Sequence, residues 1–132
     1  MANRFVVVWA VPSEGFGEPC WLMVKNKIRG WELPGGNMED GEEADIAALR
    51  ELYEESGLLG VAKALDENLV EGGVVVLVEV PHKPSPDSWP SEDDSIEEVG
   101  WCLEVPDGSA WGKDEIERIQ CHDWSASIIL GS

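Results

Sequence analysis

Basic residues are scarce in this sequence. Its 132 residues include 9 Lys and Arg against 27 Asp and Glu, which gives a formal net charge of −18. Proteins that hold nucleic acid without regard to its sequence use basic patches that displace counterions from the phosphates. We therefore expect no nucleic-acid partner. The acidity itself fits either a salty cytoplasm or a need for solubility, and the sequence leaves both explanations open.

Histidines, cysteines and long apolar runs are also few. With two histidines and no CxxC pair among Cys20, Cys102 and Cys121, a zinc site is not expected. The odd number and the spacing of the cysteines predict buried free thiols in a reducing compartment. The apolar run at residues 5–11 is too short to span a membrane, and no signal-peptide cleavage pattern accompanies it. We expect a cytoplasmic protein with no membrane partner.

The chain is long enough for one hydrophobic core and too short for two, so residues 1–132 are predicted to form a single domain. Apolar residues make up 43% of the chain, which is typical of a globular protein rather than a disordered acidic one. Apolar and β-branched runs predict strands, and segments without Gly or Pro predict helices. The predicted strands are residues 5–11, 20–25, 31–33, 58–65, 74–80 and a last one that starts at residue 96 or 99 and ends at residue 105. The predicted helices are residues 43–56 and 113–121.

The order of these elements indicates the fold class. Residues 12–19 are predicted to join the first two strands into a hairpin, and residues 81–94, with four prolines, are predicted to form a loop. The tail from residue 124 onward carries no decisive pattern. Strands on both sides of one helix, followed by a second helix, favour an α/β fold in which helices pack on the faces of a mixed sheet.

The most informative stretch is residues 36–58, GNMEDGEEADIAALRELYEESGL. Glycine and acidic residues at its start favour a loop, whereas residues 43–56 are rich in the helix formers Ala, Leu and Glu. Gly57 stands where helices are commonly capped at the C-terminus, and Asp45 suits the helix dipole in the first turn. Glu43 is a weak N-cap. The stretch therefore predicts a loop that runs directly into a helix.

Three carboxylates share one face of this predicted helix. Glu51, Glu54 and Glu55 are spaced i, i+3 and i+4, and their mutual repulsion would weaken a helix that gained nothing from them. Together with carbonyl oxygens from the glycine loop, they form an all-oxygen site suited to a hard cation, Mg²⁺ or Mn²⁺. Arg50 stands four residues before Glu54 and is placed to pair with it.

Two other interpretations compete with a metal site of this kind. In an acidic chain, a run of Glu on a helix is usually a solvated face. An EF-hand loop with Gly41 at its sixth position would place Gly36 first and Met38 third, where side-chain ligands are required. The EF-hand is therefore excluded, and the fixed spacing of the whole stretch argues against a merely solvated face.

The stretch resembles the Nudix box, G-x5-E-x7-R-E-U-x-E-E-x-G-U with U a bulky aliphatic residue, and every specified position is filled. The preceding WELPG, residues 31–35, is similar to the family's usual approach to the box. The resemblance implies the α/β/α sandwich of Nudix proteins, with a mixed sheet, the box helix and a C-terminal helix. It also implies hydrolysis of a nucleoside diphosphate linked to another moiety, with Mg²⁺ or Mn²⁺ as cofactor.

The resemblance further implies which residues hold the metal. Glu51, Glu54 and Glu55 match the box carboxylates that bind it. Gly36 matches the first glycine of the box, whose carbonyl is often a further ligand.

Catalytic roles follow from the same resemblance. Arg50 matches the arginine that orients a box glutamate by a salt bridge, and Glu42 matches a glutamate that steadies the loop. The general base is either a box glutamate, with Glu54 or Glu51 favoured, or an acidic residue from the loop before a later strand. That loop offers Glu92, Asp93, Asp94, Glu97 and Glu98.

A few residues outside the box are candidates for binding substrate. Lys25, Lys27 and Arg29 form a short basic segment just before the box. This segment is either a solubilising turn or the place where Arg29 or Lys27 meets a substrate phosphate. Trp89 lies in a predicted loop and is the candidate for stacking on a base, although tryptophan is more often a core residue.

The sequence does not identify the substrate. Gly73 stands where a proline would suggest ADP-ribose, and valines at residues 74–76 stand where a tyrosine would suggest dinucleoside polyphosphates. A small nucleotide is expected, either a nucleoside triphosphate or another nucleotide derivative, and the net charge disfavours RNA decapping. The alternative function is a nucleotide-sensing module without catalysis, which the complete set of box carboxylates disfavours. Homodimers are common in the family, so a homodimer is the assembly that the resemblance suggests.

Overall fold

The computed structural model describes residues 4–13 and 19–130. Part of the predicted 12–19 loop, residues 14–18, lies outside them. The described elements, in chain order, are β1 (Phe5–Pro12), β2 (Trp21–Asn26), β3 (Gly30–Glu32), β4 (Gly35–Asn37), α1 (Ala44–Ser56), β5 (Val61–Asp66), β6 (Gly73–Val80), β7 (Ile96–Cys102), α2 (Lys113–Gln120), a 3₁₀ turn (Trp124–Ala126) and β8 (Ile128–Ile129).

The strands form two sheets. The larger is mixed and has the order β4-β1-β6-β5-β8, in which β1 and β6 are parallel and the other neighbours are antiparallel. The smaller is antiparallel and has the order β3-β2-β7. The structure thus confirms the predicted α/β class with a mixed sheet.

Side chains of β1 alternate between two cores. Val6, Val8 and Ala10 belong to the cluster that includes Ala47 and Ala48 of α1. Val7 and Trp9 belong to a second cluster, which contains the buried Ile116 and Ile119 of α2. Because successive residues of a strand point to opposite faces, this alternation means that a helix covers each face of the larger sheet. The unbroken apolar run of β1 reflects that burial on both sides.

The predicted hairpin of the first two strands is wrong. β1 pairs with β4 and β6, whereas β2 pairs with β3 and β7 in the other sheet. Trp9 of β1 and Trp21 of β2 instead stack across the core, with ring centroids 5.2 Å apart. Adjacent apolar strands do not reveal by themselves whether they share a ladder or face each other across a core.

Smaller differences concern the ends of elements. The strand expected at residues 58–65 begins only at Val61, and the start of the predicted box loop forms the edge strand β4. The predicted 81–94 loop is confirmed, apart from one bridge between Trp89 and Val99. The tail contains the 3₁₀ turn and β8, which pairs with β5.

The cysteines only partly match the prediction of buried free thiols. All three are free, but only Cys20 is buried, whereas Cys102 is half-buried and Cys121 is exposed. Within residues 4–13 and 19–130, no helix is long and apolar enough to cross a membrane.

Candidate active site

Pairing of β4 with β1 positions Gly36, the first glycine of the box, beside the box helix α1. β4 lies at the edge of the larger sheet, where Gly36 is opposite Val6 of β1. The loop then turns, with the N–H of Glu42 bonded to the carbonyl of Glu39 at 3.0 Å, and α1 begins at Ala44. As predicted, Glu43 makes no side-chain cap. Gly57 ends the helix with φ 79°, a left-handed conformation that suits glycine.

Two carboxylates of α1 lie against the backbone of β4. Glu55 accepts a hydrogen bond from the N–H of Gly35 at 3.0 Å, and only 9% of Glu55 is exposed. The carboxylate of Glu51 lies so close to Gly36 that a Cβ added there would be 2.7 Å from Cδ of Glu51. A side chain at Gly36 would therefore displace the carboxylate of Glu51 from this position.

Arg50 connects the loop to the helix. Its Nε and Nη2 donate to the two carboxylate oxygens of Glu42 at 2.8 and 2.9 Å. Its Nη1 donates to Glu54 at 2.8 Å and to Glu51 at 3.3 Å, and Nη2 also reaches the carbonyl of Asn37 at 3.3 Å. The predicted pairing with Glu54 is present. One guanidinium thus sets the positions of two box carboxylates and of the loop.

Burial raises the pKa of the Glu55 carboxyl to about 8. The nearby charges of Glu51, Glu32 and Asp93 raise it further, whereas the hydrogen bond from Gly35 opposes the rise. Burial also raises the pKa of Glu51, against the opposing charge of Arg50. Both shifts arise because the charged forms lose water and repel each other. Arg50 offsets part of the charge of Glu51, whereas no Lys or Arg of the described residues forms a salt bridge with Glu55.

Glu42 has the opposite environment. The hydrogen bond from Arg50 lowers the pKa of Glu42 to about 2, with a further contribution from the N–H of Glu39. The same interaction raises the pKa of Arg50. Glu42 and Arg50 thus form an ion pair, and through Arg50 this pair also contacts Glu51 and Glu54.

The donor set fits a hard divalent cation. Carboxylates of Glu51 and Glu55 lie beside the backbone of Gly35 and Gly36, and oxygen atoms of this kind are the ligands that Mg²⁺ and Mn²⁺ prefer. As the side chains stand, the described part of the chain has no group of three or more Asp, Glu, His or Cys residues arranged to hold a metal. Glu54 turns instead to Arg50, and its side chain is half-exposed.

The loop between β6 and β7 closes over the end of α1. The indole N–H of Trp89 donates to the carbonyl of Ser56 at 3.0 Å, and the hydroxyl of Ser91 donates to the carbonyl of Glu55 at 2.7 Å. The N–H of Asp93 in turn donates to the Ser91 hydroxyl at 3.0 Å. Trp89 therefore caps the box helix with its polar edge.

The five acidic residues of this region differ in their surroundings. Asp93 is half-buried, and its charge acts on both Glu51 and Glu55. Glu97 and Glu98 lie 3.6 and 3.9 Å from the ammonium group of Lys25. The other two, Glu92 and Asp94, are exposed, and Glu92 lines a cavity with Glu54. Asp93 is thus the loop acid that the structure brings to the cluster.

The two basic candidates are placed differently. Arg29 donates to both oxygens of Glu32, at 2.9 and 3.1 Å, and lines a cavity together with Gly35 and Gly36. Lys27 is exposed on the turn before β3, and its N–H donates to the carbonyl of Ser95 at 2.9 Å. The structure therefore brings Arg29, but not Lys27, beside the box glycines.

Two further residues of this cavity were not predicted from the sequence. Phe5 and Trp111 line it beside Arg29. The only local signal for Trp111 is its position in a short segment with Gly108, Ser109 and Gly112, where a large aromatic residue has little local core to enter. Phe5 belongs to an apolar strand and carries no such signal.

Comparisons with known proteins agree with this geometry. The NUDIX domain family model matches residues 3–106. An RNA pyrophosphohydrolase from Dinoroseobacter shibae is 52% identical over 33 residues, which are 25% of this chain and 21% of that protein. The diphosphoinositol polyphosphate phosphohydrolase 3-alpha of Mus musculus is 60% identical over 30 residues, 23% of this chain and 18% of that protein.

A solved structure shows the same fold. The crystal structure of a UDP-X diphosphatase has a TM-score of 0.63 at 19% identity and covers 91% of this chain and 62% of that one. The curated relatives match over only about a quarter of their length or less. The family model, however, spans most of the sequence, and the structure places the box residues together. The chain therefore belongs to the NUDIX domain family.

Proposed function

We propose that this protein is a Mg²⁺- or Mn²⁺-dependent hydrolase that cleaves a pyrophosphate bond in a nucleoside triphosphate or another nucleotide derivative. One observation carries the proposal. Glu51 and Glu55 lie together against Gly35 and Gly36 with raised pKa values, and among the described residues Arg50 forms a salt bridge with Glu51 but no Lys or Arg forms one with Glu55. A cluster of this kind costs stability unless it binds a cation.

Glu51, Glu54, Glu55 and the carbonyl of Gly36 would hold the metal. When bound, a divalent ion neutralises phosphoryl oxygens and lowers the pKa of an attacking water. Arg50 and Arg29 each already share their charge with a carboxylate, Glu42 and Glu32, so that either would neutralise a substrate phosphate only in part.

Arg50 acts as a positioning residue, because its guanidinium group contacts the carboxylates of Glu51 and Glu54. Glu42 holds Arg50 through two hydrogen bonds and so fixes both carboxylates from the loop side. Among the box carboxylates, Glu54 is the most exposed and the one that solvent water reaches most easily. We therefore assign the general base to Glu54, with Glu51 as its neighbour in the cluster and Asp93 as the second choice.

The proposed substrate class is based on the positive charge of Arg29 near the box and on the substrates for which the relatives are named. Arg29 beside Gly36 is suited to a substrate phosphate, with Lys27 and Trp89 as outer candidates. The relatives are named for RNA, for diphosphoinositol polyphosphate and for UDP-X, so the box is compatible with several leaving groups. A small nucleotide is the partner that we propose. A cytoplasmic location fits the three free thiols, and homodimer formation stays a prediction.

A hydrolysis panel with Mg²⁺ and with Mn²⁺ tests this function. It includes deoxynucleoside triphosphates, oxidised dGTP, ADP-ribose, nucleotide sugars and dinucleoside polyphosphates, at low and at high salt. Glu55→Gln keeps the shape of the side chain and an acceptor for the Gly35 N–H but removes the buried charge. Glu43→Gln makes the same change at an exposed position on the N-terminal side of α1, where the side chain makes no cap.

We expect metal-dependent cleavage of one substrate class by the wild type and by Glu43→Gln, and its loss in Glu55→Gln. Full activity in a folded Glu55→Gln protein would show that the metal site is wrongly assigned. Tight nucleotide binding by the wild type without cleavage of any compound would favour the sensing module.

A further inference from the structure

A groove leads away from Gly36 and reaches two aromatic rings. Two adjoining cavities of about 230 and about 410 Å³ form it. Gly35 and Gly36 line the end beside the carboxylate cluster, and Glu71 and Glu115 line the far end. Both cavities share the residues Phe5, Arg29, Glu32 and Trp111. The two cavities are therefore neighbours, and together they extend from the box glycines past the rings to Glu71 and Glu115.

The ring of Phe5 and the backbone of Trp111 have defined neighbours before any ligand arrives. Phe5 lies over the start of β6, where a Cβ added to Gly73 would be 2.6 Å from Cζ of Phe5. The hydroxyl of Ser109 contacts the backbone of Trp111 twice, accepting from its N–H at 3.1 Å and donating to its carbonyl at 2.8 Å. The neighbouring Ala110 donates its N–H to Trp31 of β3 at 2.7 Å. A fixed surface binds a flat ligand with little further loss of entropy.

Charge changes along the groove. Arg29 lines the shared middle part together with the two rings, whereas the exposed carboxylates of Glu71 and Glu115 stand at the far end. Carboxylates repel phosphate but accept hydrogen bonds from the N–H groups at the edge of a nucleobase. Both rings are half-buried and leave part of their surface to the groove. The far end therefore suits an uncharged aromatic group.

We propose that Trp111, supported by Phe5, binds the aromatic base of the substrate, while the phosphates extend past Arg29 to the box. This assignment rests on the proposed function and narrows it. It selects nucleotides whose base lies at the end away from the cleaved bond. A bare polyphosphate, or a sugar ring that carries phosphates on all sides, would instead meet the carboxylates of Glu71 and Glu115.

The test compares two changes at Trp111 with a matched change elsewhere. Trp111→Leu removes the aromatic face but keeps an apolar side chain, and Trp111→Phe keeps an aromatic ring. Trp124→Leu removes a half-buried tryptophan outside the groove, beside His122. For each protein we would measure kcat and KM with the deoxynucleoside triphosphate that the wild type cleaves fastest. Inorganic tripolyphosphate, which has no base, serves as a competitive inhibitor. Circular dichroism and unfolding midpoints check the fold.

Trp111→Leu should raise KM about tenfold, a change of about 1.4 kcal/mol in binding, because a base loses its stacking partner. Its kcat and the inhibition constant of tripolyphosphate should stay within about twofold of the wild type. Trp111→Phe should recover most of the loss, and Trp124→Leu should not change KM.

Other outcomes would overturn the assignment. An unchanged KM in Trp111→Leu, or an equal rise in KM and in the tripolyphosphate constant, would show that Trp111 does not bind the base. In either case the metal-dependent hydrolysis itself would stand. If the wild type cleaves no nucleotide with Mg²⁺ or Mn²⁺, the proposed function fails and the assignment fails with it.

Discussion

Arg50 holds Glu42 through two parallel hydrogen bonds, with Nε 2.8 Å from Oε2 and Nη2 2.9 Å from Oε1. This geometry needs the planar fork of a guanidinium, which an ammonium group does not provide. Because the same side chain also contacts Glu51 and Glu54, the pair determines where two of the box carboxylates stand.

Arg50→Lys should therefore weaken metal binding and activity by about 10- to 100-fold while the protein still folds. Lysine keeps the charge but cannot contact Glu42 and the helix carboxylates at once. The measurement is the Mg²⁺ concentration needed for half-maximal activity, together with kcat. Arg118→Lys, at an exposed arginine of α2, is the control and should match the wild type. A normal Mg²⁺ requirement in Arg50→Lys would show that Arg50 does not position the carboxylates.

The pKa of Glu42 predicts a dependence of stability on pH. Arg50 lowers this pKa from its ordinary value of 4.5 to about 2 in the folded protein. A lowered folded-state pKa contributes stability that is fully present above pH 4.5 and is lost as the pH falls through about 2. Urea unfolding without metal should show Glu42→Gln less stable than the wild type at pH 6, with the difference shrinking towards pH 2.

Glu43→Gln provides the comparison for this series, since it removes one carboxylate that makes no side-chain cap. Its unfolding free energy should follow that of the wild type at every pH. If the gap between wild type and Glu42→Gln were constant from pH 6 to pH 2, the ion pair with Arg50 would not be its cause.

Gly36→Ala should damage the site without unfolding the protein. The new Cβ would be 2.7 Å from Cδ of Glu51, so that carboxylate must move away from the cluster. Displacements of about 1 Å in an active site can lower activity about 100-fold. Gly100→Ala is the matched control, because its Cβ would meet its nearest neighbours at 3.7 and 3.8 Å, an ordinary contact. Equal activity in the two variants would mean that Glu51 tolerates the shift.

Two substitutions distinguish the candidates for the general base. At a Mg²⁺ concentration that saturates each variant, so that loss of a metal ligand does not limit the rate, Glu54→Gln should lower kcat by about 10²- to 10⁴-fold, the usual range for loss of a positioned base. Asp93→Asn should lower it less than tenfold, since an amide oxygen can still accept the hydrogen bonds that Ser95 donates. Asp94→Asn, at the exposed neighbour, is the control. The reverse order of effects would move the role from Glu54 to Asp93.

The helix of the site is largely predictable from sequence because its signals are local. Residues 43–56 were expected and Ala44–Ser56 are found, with Gly57 as the left-handed cap. The i, i+3, i+4 spacing puts three carboxylates on one face, but it does not show that Glu55 is deeply buried and Glu54 half-exposed. That difference depends on how α1 lies against β4, a contact between distant parts of the chain.

Features that depend on long-range pairing are not predictable in this way. The parallel pairing of β1 with β6, rather than with β2, joins strands that are far apart in sequence. Trp111 and Phe5 likewise line one groove only because the chain folds back near β3 and β6. The exposed Cys121 follows the last helical residue of α2, whose buried positions Ile116 and Ile119 leave it on the outer side.

The place of β1 between β4 and β6 has a consequence for substrate length. Phe5 is paired on one side with Asn37, next to the box glycine, and on the other with Gly73. The start of β1 thus sets the distance between Phe5, which lines the groove, and the carboxylate cluster. If both proposals hold, β1 fixes the distance between the base and the metal site. This fixed distance would then limit the number of phosphates that fit between the base and the cleaved bond.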